Sequence, residues 1–108
     1  MRLGLYALSM IPDASVRDLI ELACVAEELG FDDVCLGEHV VMADALPPWV
    51  RGGTFLHNSQ ERFVEPMTIF AAMAMATTRV RLVTCVLIAP LRPAALLAKQ
   101  AATLHEIS

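Results

Sequence analysis

The sequence lacks the features that usually identify membrane proteins and nucleic-acid-binding proteins. Its longest uncharged stretches, residues 66–78 and 82–91, are shorter than the roughly 20 apolar residues that a membrane-spanning helix needs. It has no basic run, and its formal net charge is −4 at pH 7. We therefore predict a protein with no membrane contact and no nucleic-acid partner.

Further absences argue against phosphate-binding loops, metal sites and disulfide bonds. Neither G-x-G-x-x-G nor G-x-x-x-x-G-K-S/T occurs, so the sequence has neither of these phosphate-binding loops. The three histidines and three cysteines show no metal-ligand spacing, and we predict no metal site. Cys24, Cys35 and Cys85 are odd in number and lie in apolar segments, which predicts buried, reduced thiols in a cytoplasmic protein.

What the sequence does contain is an alternation of apolar strands and helices. Leu3–Leu8 is an apolar run typical of a strand. Ser15 and Asp18 form a capping-box pattern that predicts the start of an amphipathic helix, and Gly30 supplies its C-terminal turn. Asp33–Gly37 follows as a short apolar strand of the kind that is covered on both faces. This first third of the chain therefore predicts a βαβ unit.

The second half of the chain repeats the pattern. Pro66 begins a helix in which Met67–Ala76 is apolar almost all round, and we expect a second subunit to cover its outer face. A strand is predicted over Val80–Ala89 and a helix over Ala94–Leu104. The βαβαβα order predicts an α/β fold in which residues 1–108 form the first part of a (β/α)₈ TIM barrel, left incomplete at three strands.

Two titratable side chains, Glu38 and His39, follow the second predicted strand. Reacting groups in parallel α/β folds lie at the carboxyl ends of strands, so this pair is a candidate site. His39 could act as a general base or as a hydrogen-bond donor, and Glu38 could orient His39 or bind substrate. The long loop over residues 40–64 follows directly, and we expect it to form a lid or substrate wall, with Trp49 as a substrate contact.

Several segments together resemble the bacterial luciferase-like monooxygenase superfamily, with its flavin-dependent and deazaflavin-dependent branches. They occur in family order and at family-like spacing, across nearly the whole chain. The segments are AEELGFD (26–32), LGEH (36–39), EPMT (65–68), ATTRVRL (76–82), VLIAPLRP (86–93) and LAKQAATL (97–104). Val83 departs from the pattern, because the family usually has glycine at that place.

The resemblance implies a TIM-barrel oxidoreductase that uses reduced flavin (FMN) or the deazaflavin coenzyme F-420. It implies that His39 assists proton transfer beside the cofactor ring and that Thr84, Cys85 and Val86 form the wall against that ring, with a cis peptide between Cys85 and Val86. From the residues alone, Thr84–Val86 is better explained as a core strand. The resemblance also implies a homodimer through the second and third helices.

The predicted reaction is flavin-dependent monooxygenation or deazaflavin-dependent hydride transfer on a small organic substrate. Family members are much longer, so we expect this chain to be the N-terminal part of such an enzyme and to be inactive alone. One alternative is a non-catalytic dimerisation module that uses the apolar helix 66–76. Another is an unrelated barrel enzyme such as an isomerase.

Overall fold

The computed structural model describes residues 1–7, 15–41 and 63–108. Within them the chain forms a small α/β unit, a three-stranded parallel sheet in the order β1-β2-β3. Its elements are β1 (Gly4–Tyr6), α1 (Val16–Glu28), β2 (Asp33–Leu36), α2 (Pro66–Ala76), β3 (Arg81–Thr84), a short 3₁₀ turn (Ala89–Leu91) and α3 (Ala94–Ile107). The predicted α/β class and the parallel strands are confirmed.

Helix α1 begins and ends where the sequence predicted. The Ser15 hydroxyl accepts the backbone N–H of Asp18, and the Asp18 carboxylate accepts the backbone N–H of Ser15. Gly30 has a φ of +86°, the left-handed conformation that favours glycine after a helix. Leu19, Ala23 and Ala26 form the buried stripe that faces the sheet.

The two faces of the sheet have different surroundings because side chains alternate along a strand. Val34 and Leu36 are fully buried and belong to the core beneath the helices. Tyr6, Cys35 and Val83 are partners in the strand register and therefore point to the opposite face. We call this opposite side the open face, because Tyr6 remains 46% exposed and Val83 36% exposed on it.

Helix α2 uses its apolar residues largely within the chain. The helix packs against α1 and α3, and Ile69, Phe70, Met73 and Ala74 are buried. Nothing in these contacts requires the second subunit that the sequence predicted. Met75 is the one large side chain of α2 that stays strongly exposed, at 75%. In the described ranges, no helix is long and apolar enough to cross a membrane.

Strand β3 is shorter than predicted. It ends at Thr84, and the predicted strand to Ala89 is wrong because the backbone then leaves the sheet. The Ile88 N–H donates to the Glu38 carboxylate at 2.7 Å instead of pairing in a strand. The Cys85–Val86 peptide bond is cis, as the family resemblance implied.

Candidate functional site

The carboxyl ends of the three strands meet at one edge of the sheet. The backbone N–H of Ala7, just after β1, donates to the backbone carbonyl of Cys35 at 2.9 Å. The N–H of Cys85, just after β3, donates to the Leu36 carbonyl at 2.7 Å. Because Gly37, Glu38 and His39 follow Leu36 directly, this edge brings the predicted site pair next to the exit of β3.

Glu38 is buried and tightly bound. Its side chain is 2% exposed, and Arg92 donates to both of its carboxylate oxygens, with Nη1 at 2.9 Å from Oε2. The Ile88 N–H also donates to Oε2. Hydrogen bonds from the Arg92 guanidinium hold the pKa of Glu38 below its usual value, although burial opposes the shift. This geometry favours a positioning role over direct substrate contact.

Arg92 also reaches the beginning of α2. Its Nη2 donates to Glu65 Oε1 at 2.6 Å. Glu65 is the N-cap of α2 and accepts the backbone N–H groups of Met67 and Thr68 at 3.1 and 2.7 Å. Burial raises the pKa of Glu65, but hydrogen bonds from Thr68 outweigh it and leave the pKa below its usual value. The pKa of Arg92 is raised, chiefly by its bonds to Glu38, so the guanidinium is permanently charged.

His39 lies beside this ion-pair cluster. Its imidazole packs against the ring of Phe63, with the ring centroids 4.6 Å apart and the planes tilted by 60°. Both residues line a cavity of about 310 Å³, together with Glu38, Val40, Glu65, Leu91 and Arg92. The predicted pair Glu38-His39 therefore does border a concave surface at the strand ends, and a small organic molecule could reach it.

The open face at the same edge could hold a flat ring. Cys85 is exposed and Val86 is 67% exposed. The Tyr6 hydroxyl lies over Gly37, where a Cβ atom would collide with it and would also approach the Cys85 carbonyl to 3.3 Å. An exposed, mostly apolar surface with a phenol at its edge suits a planar cofactor.

Thr84 lies elsewhere. Its side chain lines a separate cavity of about 660 Å³ between β3, α2 and α3, together with apolar residues such as Phe70, Leu82 and Leu104. This follows from strand alternation, since Thr84 pairs in register with the buried Leu36. Only the backbone of Thr84 is continuous with the Cys85–Val86 segment on the open face.

The remaining predictions concern the long loop, the cysteines and a metal site. Trp49 and most of the loop 40–64 lie outside the described residues. The prediction that Cys85 is buried is wrong, because it follows the end of β3 on the face that none of the described helices covers. In the part of the chain that the structure describes, no group of three or more His, Cys, Asp or Glu is arranged to hold a metal ion.

Sequence reasoning missed Arg92, Glu65 and Phe63 as members of this site. A signal for Arg92 was present, because a lone cation follows the third strand at the edge where the carboxylate of Glu38 must find a partner. Glu65 precedes the predicted start of a helix, and its local sequence does not indicate that its carboxylate binds Arg92. Phe63 carried no signal, since nothing local indicates that it packs against His39.

A model of the family described as luciferase-like monooxygenase matches residues 1–108, which is the whole sequence. A search of curated proteins finds no match.

Proposed function

The chain belongs to the luciferase-like monooxygenase family, and from this membership we propose that it forms part of a cytoplasmic oxidoreductase that acts on a small organic molecule with a reduced flavin-type cofactor. We further propose that the three-stranded sheet is the first portion of a (β/α)₈ TIM barrel, a single domain over residues 1–108. The parallel order β1-β2-β3 supports this proposal.

His39 is the proposed catalytic residue. It follows β2 at the edge where strand ends meet, and it borders a cavity large enough for part of a small molecule. Histidine is the most common general acid or base in enzymes, which suits His39 to take or give a proton during the reaction. The observation that carries the proposal is that His39 borders this cavity and follows β2 at the edge where the backbone of Leu36 pairs with the residue after β3.

Cys85 and Val86 are the proposed cofactor wall. Both are exposed on or beside the open face, and Thr84 contributes through its backbone. When bound, the reduced cofactor would supply either the activation of dioxygen for monooxygenation or a hydride. The described residues do not distinguish FMN from coenzyme F-420, so both are tested. Trp49 remains proposed as a substrate contact, whereas Glu38 is proposed to position the strand end rather than to touch substrate.

A binding titration tests the proposal without requiring turnover. The protein is titrated into FMN and, separately, into coenzyme F-420, and cofactor fluorescence is followed. We expect saturable quenching with one of them, and a tenfold or greater weakening in His39→Ala. His105→Ala is the matched control, because His105 lies on α3 at the other cavity. No saturable signal with either cofactor would contradict the proposal.

The alternative of a non-catalytic dimerisation module loses its main support, because the apolar residues of helix 66–76 pack largely within the chain. A homodimer through α2 and α3 remains a proposal. Met75 on α2 and Leu96 on α3 are exposed and available for it, at 75% and 53%. Light scattering on the parent and on Met75→Glu tests this interface. We expect the parent to have the mass of a dimer and the variant that of a monomer. A variant with the same mass as the parent would contradict the interface.

A further inference from the structure

Arg92 joins two parts of the chain that are far apart in sequence. Glu38 follows β2, whereas Glu65 is the N-cap of α2. Arg92 Nη2 donates to a carboxylate oxygen of each, at 2.6 Å in the case of Glu65. We call these three residues the Arg92 clamp. Its members are joined side chain to side chain, so the position of one carboxylate constrains the other.

The residues adjoining the clamp are those that define the site. His39 is the neighbour of Glu38, and Phe63 lies two residues before Glu65. The two rings contact each other at a centroid distance of 4.6 Å. We propose that Arg92 is a positioning residue, which holds the His39 imidazole against Phe63 by tying the backbone on either side of the pair to one guanidinium.

The chemistry of the guanidinium explains why arginine serves here. Its nitrogens are fixed in a plane, so one side chain can bind both oxygens of Glu38 and still reach Glu65. A lysine ammonium is a compact charge and does not reproduce that fork. Arg92 is itself anchored, because its backbone N–H donates to the backbone carbonyl of Ala89 at 3.0 Å and its side chain is only 12% exposed.

The inference rests on the proposed function, because that function makes His39 the catalytic residue. The position of the His39 imidazole can nevertheless be tested without any cofactor. The readout is the nuclear Overhauser contact between the His39 imidazole and the Phe63 ring in the free protein, assigned with His39→Gln. We expect this contact in the parent, a weaker contact in Arg92→Lys, and none in Arg92→Met. Arg81→Met is the matched control, because Arg81 pairs with Asp33 at the other end of the strands and should leave the contact intact.

The outcomes separate positioning from general stability. Each variant is first checked for its circular dichroism spectrum and its thermal midpoint. A folded Arg92→Met that keeps the His39–Phe63 contact would overturn the proposal. If Arg92→Met does not fold, Arg92→Lys decides: a full-strength contact there overturns the proposal, and a weakened one supports it. Cofactor binding is measured separately, so an enzyme that fails to bind flavin leaves this result standing.

Discussion

The hydroxyl of Tyr6 lies directly over the Cα of Gly37, at the place that a side chain of residue 37 would occupy. Tyr6 ends β1 and Gly37 follows β2, so the contact crosses two strands at the carboxyl edge of the sheet. The absence of a side chain at Gly37 therefore lets the Tyr6 ring lie across the open face.

Gly37→Ala should displace Tyr6 and destabilise the fold. We expect a loss of about 1 kcal/mol in the free energy of unfolding, at the low end for overpacking, because the half-exposed Tyr6 side chain can move aside while the Cys85 carbonyl must shift slightly. Urea unfolding measures it, and Gly4→Ala is the control, because a Cβ there meets only ordinary contacts from 3.5 Å outward. In a Tyr6→Ala background the cost of Gly37→Ala should fall, and an unchanged cost would show that the two residues are not coupled.

Glu27 should make stability depend on pH at the acidic end. Hydrogen bonds from the backbone N–H groups of Val80 and Arg79 lower the pKa of Glu27 to about 2, from 4.5. A carboxylate whose pKa is lower when folded stabilises the fold above its unfolded pKa. That stability should be lost as the pH falls from 4.5 to about 2.

Urea midpoints of the parent and Glu27→Gln across this pH range test the prediction. The variant should be less stable than the parent at pH 7, and the difference should shrink towards pH 2. Glu28→Gln is the neighbouring control, because Glu28 is exposed on the same helix. A difference between parent and Glu27→Gln that does not vary with pH would contradict the assignment.

Arg92→Met should be far more destabilising than Arg81→Met. It leaves the buried carboxylate of Glu38 without its cation, a change that costs about 3–5 kcal/mol in comparable buried pairs. Arg81 is 49% exposed at its side chain, and such surface pairs contribute about 1 kcal/mol or less. Chemical denaturation measures both, and Glu38→Gln should recover part of the stability lost in Arg92→Met. Equal losses in the two arginine variants would contradict a buried clamp.

The helices and strands were largely predictable from the sequence, because the residues that mark their ends lie close together in the chain. The capping box at Ser15, the left-handed Gly30 and the proline that opens α2 each depend on a few consecutive residues, and the structure confirms all three. The end of β3 was not predictable in this way. The apolar run continues past Thr84, but the Ile88 N–H is bound by Glu38, which lies 50 residues away in sequence.

The candidate site was predictable only in outline. The position of Glu38-His39 at a strand end follows from the βαβ pattern. The partners of those side chains do not, because Arg92, Glu65 and Phe63 come from segments that meet only when the sheet forms. Periodicity also gave no sign that Glu38 is fully bound, and so could not separate its orienting role from substrate contact.

The three thiols should react at different rates. Cys85 is exposed, whereas Cys24 and Cys35 are partly covered. Burial raises the pKa of Cys35, which lowers the fraction of reactive thiolate at neutral pH. We expect one fast-reacting thiol with a chromogenic disulfide reagent, and Cys85→Ser should remove that phase. A fast phase that survives in Cys85→Ser would show that Cys24 or Cys35 is the fast-reacting thiol and would contradict the exposed position of Cys85.

Protection of Cys85 by the cofactor is the most direct test of the account as a whole. The modification rate of Cys85 is measured with increasing FMN or coenzyme F-420, with the rate of Cys24 as the internal reference. If the cofactor ring lies against Cys85 and Val86, the Cys85 rate falls to a plateau, with half-protection at the concentration that half-saturates the fluorescence titration. A Cys85 rate that stays constant while the cofactor is bound would place the cofactor elsewhere and contradict the proposed site.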